Sequence, residues 1–301
     1  MTAQRFRRLA WKNTPYVAMH LACLTAFLLP FSWGLVALAG GLYLVRMFGV
    51  TAGYHRYFSH RTFRTSRPFQ LVLAVLGLLA LQKGPLWWAA HHRRHHKFSD
   101  TENDVHSPVQ RGFFWSHMGW IMVEDFSEAD RSTVQDLARY PELVFFDRHW
   151  YLPSVVLGAL LLVLGGLPAL VWGLPISIVV CWHATYTINS LNHMVGRQRY
   201  ATGDGSRNSA ILAVLTLGEG WHNNHHHYMA STRQGFFWWE YDITYWLLRL
   251  LTLPRLVWEL REPPARVKYA HVEKAQEQAI RIDPERPERP PLPSGPVTQS
   301  A

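Results

Sequence analysis

The 301-residue chain carries 30 Lys and Arg against 21 Asp and Glu, a formal charge of +9, yet only 17% of its residues are charged, where about a quarter is usual for a soluble domain. Its 49% hydrophobic content and 14 Trp exclude a disordered chain. The two cysteines, Cys23 and Cys181, both inside apolar runs, exclude a disulfide scaffold and a thiolate-built zinc site.

Residues 1–14 form an N-terminal arm with Arg5, Arg7, Arg8 and Lys12 and no acid. Apolar runs long enough to cross a bilayer core, which takes roughly 20 residues, follow at 15–31 and at 33–54, the second with Arg46 as its only charge. They recur at 152–171 and 174–194. A shorter run over 69–81 reads as a buried or interfacial helix. The links at 30–34 and 169–175 carry no charge, so each pair of spans reads as a hairpin with a tiny far-side loop. All charged segments, both termini included, then share the other side, which the positive-inside rule makes the cytoplasm. Trp11, Trp33, Trp150 and Trp172 fall at span ends, where indoles favour the interface. The first run has the look of a secretory signal but passes at once into the second without a clear cleavage site, so it reads as a retained helix. Arg46 reads as snorkelling or paired inside the bundle, a structural role.

Residues 236–260 have helical apolar spacing and many aromatics, the pattern of an amphipathic helix on a membrane surface or against the cytosolic domain. Residues 262–301 hold eight of the 18 prolines and too little apolar surface to build a core. The expected organisation is an arm (1–14), one membrane and cytosolic unit (15–261) and a Pro-rich tail (262–301). The expected class is all-α: four transmembrane helices in two hairpins, with a cytosolic helical cap.

Histidine, at 17 copies, dominates the chemistry. Three clusters fall on the charged side: His55 with His60; His91, His92, His95 and His96; and His222, His225, His226 and His227. In the second and third, His-x-x-His-His places three imidazoles at i, i+3 and i+4, expected to share one helical face. Neutral imidazole suits iron, zinc, copper or nickel, and eight histidines exceed the four ligands of a structural zinc, so two metals are the economical reading. Tyr186, Asn189 and His193 are spaced along one face of the last span, with His193 as a ninth ligand. His91 and His227 flank the triplets, where same-face geometry favours the others. His106 reads as a neighbour of the second cluster, His20 and His183 as packing or hydrogen-bonding groups rather than haem ligands, and His117, His149 and His271 as isolated.

The order His-x4-His, His-x-x-His-His, Asn189-Ser190-x-x-His193 and Glu219-Gly220-x-His222-x-x-His225-His226 resembles the integral-membrane fatty acyl desaturases of the stearoyl-CoA desaturase type. The likeness runs over about 52–242 and includes Gly53-Tyr54-His55-Arg56, Phe98-Ser99-Asp100 and Gly112-Phe113-Phe114-Trp115-Ser116-His117. It implies two irons held by His55, His60, His92, His95, His96, His193, His222, His225 and His226, with Asn189 contacting one iron through water. It also implies O2 as co-substrate, a saturated acyl chain bent at Gln82, Trp88 and Thr185 near Tyr186, and a cis double bond at carbon 9. No flavin or nicotinamide fingerprint occurs, so the resemblance implies an electron donor: cytochrome b5, a ferredoxin or a flavin reductase.

The resemblance implies an acyl-CoA substrate, but the sequence departs from it at the head group. Ala90-His91 and Glu124-Asp125 stand where animal acyl-CoA desaturases have residues that contact the coenzyme, and acidic groups there repel its phosphates. A phospholipid-bound chain is the alternative carrier, and hydroxylation of the same chain the alternative reaction. A metal transporter would place its site near the bilayer midplane, a metalloprotease needs His-Glu-x-x-His, and no motif supports nucleic-acid binding.

Overall fold

A computed structural model describes residues 3–123, 126 and 128–270, and the side chains of 3–12 are not among its described parts. The arm's basic side chains, Trp11, Glu124, Asp125 and His271 lie outside that description, as does the tail from 271 on.

Helix α1 (Ala3–Leu24) ends in a 3₁₀ turn at Thr25–Leu28. Ser32 then caps α2 (Trp33–Phe48) by accepting the Leu35 amide, satisfying one of the donors a helix start leaves open. Without a break α2 becomes a π-helix over Gly49–Ser59. A two-residue strand β1 (Arg64–Thr65) leads to α3 (Arg67–Leu78), the short apolar helix expected from the sequence, whose Leu73, Ala74 and Leu78 are buried. After it come α4 (Pro85–Phe98), α5 (Pro108–His117), the short α6 (Gln135–Ala138) and α7 (Pro141–Arg148).

Helix α8 (Leu152–Val171) continues through a second π-helical stretch, Trp172–Ile176, into α9 (Ser177–Asn189) and a 3₁₀ turn at Leu191–His193. Two continuous stretches, Trp33–Ser59 and Leu152–His193, are long and apolar enough to cross a membrane. The second is folded on itself. Gly166 has φ +66 and ψ −165, a conformation open to glycine at little cost, and the legs return antiparallel, with Leu161 beside Gly173 and Leu174 beside Gly158. The reversal therefore lies at Gly166, ahead of the uncharged 169–175 segment. The glycine, rather than the following prolines, supplies the left-handed backbone.

Helices α10 (Ala210–Leu215), α11 (His222–His227) and α12 (Ile243–Leu251) complete the larger part of the cap, followed by strand β2 (Val257–Trp258) and α13 (Ala265–Lys268). Strand β2 pairs antiparallel with β1, Arg64 opposite Trp258. The helix expected over 236–260 is only α12. Phe236 and Phe237 leave the helical register to bury themselves against Tyr200, and Asp242 starts the helix by accepting the Tyr245 amide.

Arg46 is fully buried in α2 and donates to the carbonyls of Leu79 (2.8 Å) and Gly173 (3.0 Å) and to Ser177 Oγ (2.7 Å). Its role is structural, as expected, but through carbonyl and hydroxyl acceptors that tie α2 to both the α3 end and the second long helix. A core of Ala52, Tyr54, Phe58, Leu73, Leu86 and Leu248 joins the π-helix, α3, α4 and α12 and backs the histidine clusters.

Candidate metal centre

Nine histidines from four segments converge in two groups, His55, His60, His92, His96 and His225 in one, and His95, His193, His222 and His226 in the other. Within each group, one ring nitrogen per residue lies within 4.8 Å of all the rest. In the first, Nε2 atoms face one another at 2.8 Å (His60 and His92), 3.0 Å (His92 and His96), 2.9 Å (His96 and His225) and 3.0 Å (His225 and His55). In the second, His193 and His222 meet Nε2 to Nε2 at 3.1 Å. The groups touch where His96 and His226 bring their ring centres to 4.4 Å.

Local backbone form explains how each side chain arrives. His55 and His60 are five apart, which on an α-helix points them well away from each other. The π-helix closes the amide of His60 on the carbonyl of His55 (3.3 Å), an i to i+5 bond that returns the chain to the same side, and both imidazoles reach the first group. On α4 the i and i+4 members, His92 and His96, serve the first group while His95 serves the second. On α11 the assignment is exchanged, with His222 and His226 in the second group and His225 in the first. The single shared face expected of each triplet is thus two adjacent stripes, one per group. His193 sits in the 3₁₀ turn beyond α9, so it has left the helical face it was expected to share with Tyr186 and Asn189.

Behind the rings stand carboxylates. Asp104 accepts His95 Nδ1 (3.0 Å), Asp100 takes His193 Nδ1 (2.8 Å), Asp204 takes His226 Nδ1 (2.7 Å), and Glu219 pairs with His55 Nδ1. This turns Nε2 of His95 and His226 inward, where both are buried without a protein partner. Burial alone would raise the Glu219 carboxyl, but His55 and Arg56 outweigh it and hold it at about 2. Asp104 and Asp204 are likewise held well below the usual carboxylate range, by His95 and by His226, against their burial. Burial pushes His60, His92, His96, His222 and His225 well below ordinary imidazole, and His226 to about 4 even with Asp204 opposing. Asp104 raises His95 against its burial. Converging imidazoles, most of them held neutral and braced by carboxylates, are a donor set suited to iron, zinc, copper or nickel, and the residues present fit two such ions. The carboxylates had only a partial sequence signal: Asp100 and Glu219 adjoin the histidine motifs, whereas Asp104 and Asp204 lie in loops without a register to them.

A cavity of about 640 Å³ reaches these groups, lined by Tyr16, Met19 and Ala22 of α1, Trp88 and His92 of α4, and Trp182, Thr185, Tyr186 and Asn189 of α9. Gln82 donates to Thr185 Oγ1 (3.0 Å) and accepts from Trp88 Nε1 (3.4 Å), so the three residues expected to bend a chain form one connected wall. Trp88 also stacks on His92 at 4.9 Å. Asn189 lines both this cavity and a pocket of about 40 Å³ bounded by His55, His92, His95 and His222.

The remaining histidines divide. His91 packs on Trp87 at 4.3 Å and His227 stacks on Tyr200 at 4.0 Å, and neither joins the two groups. His106 lies 4.3 Å from the His95 ring. His149 bonds the Phe145 carbonyl one turn back. His20 and His183 meet Nε2 to Nε2 at 3.1 Å, which leaves no room for a haem between them, and His183 Nδ1 faces His117 Nε2 at 3.0 Å. His117, expected to be isolated, therefore closes a three-imidazole ladder, with its Nδ1 3.0 Å from Ser190 Oγ. The ladder ties α1 and α5 to the end of α9.

The family model for fatty acid desaturase matches residues 31–263. The chain is 41% identical, over 81% of its length and 90% of the relative's, to the sn-1 stearoyl-lipid 9-desaturase of Anabaena variabilis. It is 38% identical to the sn-2 palmitoyl-lipid 9-desaturase of Nostoc sp. (strain 36), over 81% and 87%, and 39% identical to an acyl-CoA 5-desaturase of Anemone leveillei, over 81% and 77%. With the histidine motifs brought together beside an apolar cavity, these matches make the chain a member of the fatty acid desaturase family.

Proposed function

We propose that the chain is a membrane-embedded, O2-dependent di-iron desaturase that places a cis double bond at carbon 9 of a saturated acyl chain esterified in a glycerolipid. The observation that carries this reading is the pair of histidine groups at the wall of a cavity whose lining is mostly apolar. The nine histidines are the iron ligands, and Asn189, at the junction of cavity and groups, reaches one iron through water. Bound iron supplies, with O2, the oxidising power to break two unactivated C–H bonds. Two electrons and two protons join the two hydrogens removed, so that O2 leaves as two waters. The electrons come from a partner: cytochrome b5, a ferredoxin or a flavin reductase.

The chain's own residues bind and orient. Gln82, Trp88 and Thr185 hold the bend that presents one pair of carbons, with Tyr186 beside them, and the apolar walls exclude water. In this reading residues 1–14 are a basic cytoplasmic arm, 15–261 the catalytic unit with four spans in two hairpins, and 262–301 an appended tail. Both termini and the site face the cytoplasm. The lipid-linked substrate replaces the acyl-CoA expected from the resemblance, because two of the three relatives described above are named for lipid-bound chains and one for acyl-CoA, and because the acidic Glu124-Asp125 disfavours the coenzyme's phosphates.

The test is expression in a host lacking its own desaturase, with double bonds located by mass spectrometry in each lipid class and in the acyl-CoA pool. The expected product is a carbon-9 cis bond that appears first in intact glycerolipid and is absent from an inserted His95→Ala variant. First appearance in acyl-CoA would reassign the carrier, hydroxylated chains would overturn the reaction, and an active His95→Ala protein would sink the ligand set.

A further inference from the structure

The cavity has a second wing whose polar atoms the reaction does not use. Successive residues on a helix point about 100° apart, so α4 offers Trp88 and His92 to the paired histidine groups and turns Trp87 and His91 to the other side. There Trp87 stacks on Trp120 (5.9 Å, interplanar 12°), His91 meets the Trp120 ring edge-on at 5.9 Å, and His106 lies 5.1 Å from it. Three side chains of this wing, His91, His106 and Trp120, are 7%, 5% and 6% exposed. His91 Nε2, His106 Nδ1 and Trp120 Nε1 are all buried without a hydrogen-bond partner. Leaving such an atom unpaired is costly; these three come from separate segments and, with Tyr16 Oη, line one cavity.

A saturated hydrocarbon chain has nothing to pair with them. Only the end of the substrate where the acyl group joins its carrier brings oxygen atoms. Trp120 Nε1–H can only donate, which suits an ester carbonyl, and the two imidazole nitrogens suit ester oxygens and hydroxyls. Aromatic faces on either side fit an uncharged, compact group rather than a phosphate. The one cationic side chain lining the cavity, among the described residues, is Lys83, whose ammonium sits over the Trp150 ring at 5.1 Å.

We propose that His91, His106 and Trp120 form a recognition subsite for the uncharged ester-and-hydroxyl end of a glycerolipid carrier. The subsite rests on the acyl-lipid reading above and adds the residues that select the carrier. Trp120 and His91 are specificity residues: they touch the carrier, not the reacting carbons.

The test uses the full-length, iron-loaded protein in detergent, supplied with O2 and in turn with reduced cytochrome b5, reduced ferredoxin and a flavin reductase with its nicotinamide, and presented separately with a monohexosyl distearoylglycerol, distearoylphosphatidylglycerol and stearoyl-CoA. Retained ligand is counted by mass spectrometry after gel filtration, and KM is measured for each substrate. The wild type is expected to prefer the neutral lipid. Trp120→Phe keeps an aromatic ring in the stack and removes one donor, and His91→Phe keeps an aromatic ring in place and removes both ring nitrogens, Nε2 among them. Each should weaken retention of the neutral lipid about fivefold, the scale of one net hydrogen bond, while His91→Gln, which restores a polar atom near Nε2, recovers it. Iron content and the position of the double bond serve as folding controls. Equal retention in wild type and both phenylalanine variants would overturn the subsite, as would tighter wild-type binding of the anionic lipid or of stearoyl-CoA. A wild type that binds the neutral lipid but forms no double bond in any substrate would instead overturn the proposed reaction and leave the subsite standing.

Discussion

An imidazole can turn either nitrogen toward a metal, so the group behind the ring decides which one a centre receives. At His95, His193 and His226 an aspartate takes Nδ1 and leaves Nε2 for the centre, and loss of such a partner typically weakens metal binding 10- to 100-fold. Asp204→Asn should therefore lower iron retention by about that factor, read as iron per chain after dialysis against chelators of graded strength. Retention equal to wild type would show that Asp204 does not position His226. The nine histidines were legible in the sequence because their spacing is local. Asp104 and Asp204 were not, since they lie nine and 22 residues from the rings they hold and reach them only through loop geometry. His117 was misjudged for the same reason, because its partner His183 is 66 residues away.

The secondary-structure elements differ most from expectation where helices stop being α-helical. Residue types along Gly49–Ser59 do not distinguish a π-helix from an α-helix, so the i to i+5 bond that aligns His55 with His60 left no trace in the spacing. The segment is closely packed. A Cβ on Gly49 would sit 2.3 Å from the Leu76 carbonyl carbon and one on Gly53 2.8 Å from the Leu73 carbonyl oxygen, so the backbone of α3 lies directly on this segment. Gly49→Ala must push α3 or the π-helix aside, at about 1–3 kcal/mol for overpacking of this kind. The expected outcome is a lower melting temperature together with weaker iron binding, because His55 and His60 ride on the displaced turn. A variant that melts early but holds iron as tightly as wild type would separate the packing from the site. The hairpin at Gly166 makes the same point in reverse: two apolar helical legs with an uncharged link were readable from hydropathy, while the residue that reverses the chain depends on its backbone angles.

At the scale of the whole molecule, two groups of neutral imidazoles are buried where the helices, the 3₁₀ turn and the loops of the cap converge, and that burial links stability to pH. An unfolded histidine titrates near 6.5, whereas burial holds His226 at about 4 and His60, His92, His96, His222 and His225 well below 6.5. Between these values the unfolded chain binds more protons than the folded one, so stability present above pH 6.5 is lost as pH falls toward 4. His226 alone contributes on the order of 3 kcal/mol across that window. His95 has the opposite sign, because its raised pKa removes stability as pH rises, and it is one group against six. Glu219, held at about 2, adds a further loss below its unfolded value of about 4.5. Metal-stripped protein should therefore melt at steadily lower temperature from pH 7.5 to 4.5. The iron-loaded protein should hold its metal well below pH 6.5, since the six ligands with depressed pKa stay unprotonated there and metal binds only that form, while His95 must give up its proton to the metal. Melting curves and iron content on one pH series test both. A flat profile for the stripped protein, or iron release with a midpoint near 6.5, would mean that the histidines are solvated, and the account of the site as a dry, preformed ligand set would fail.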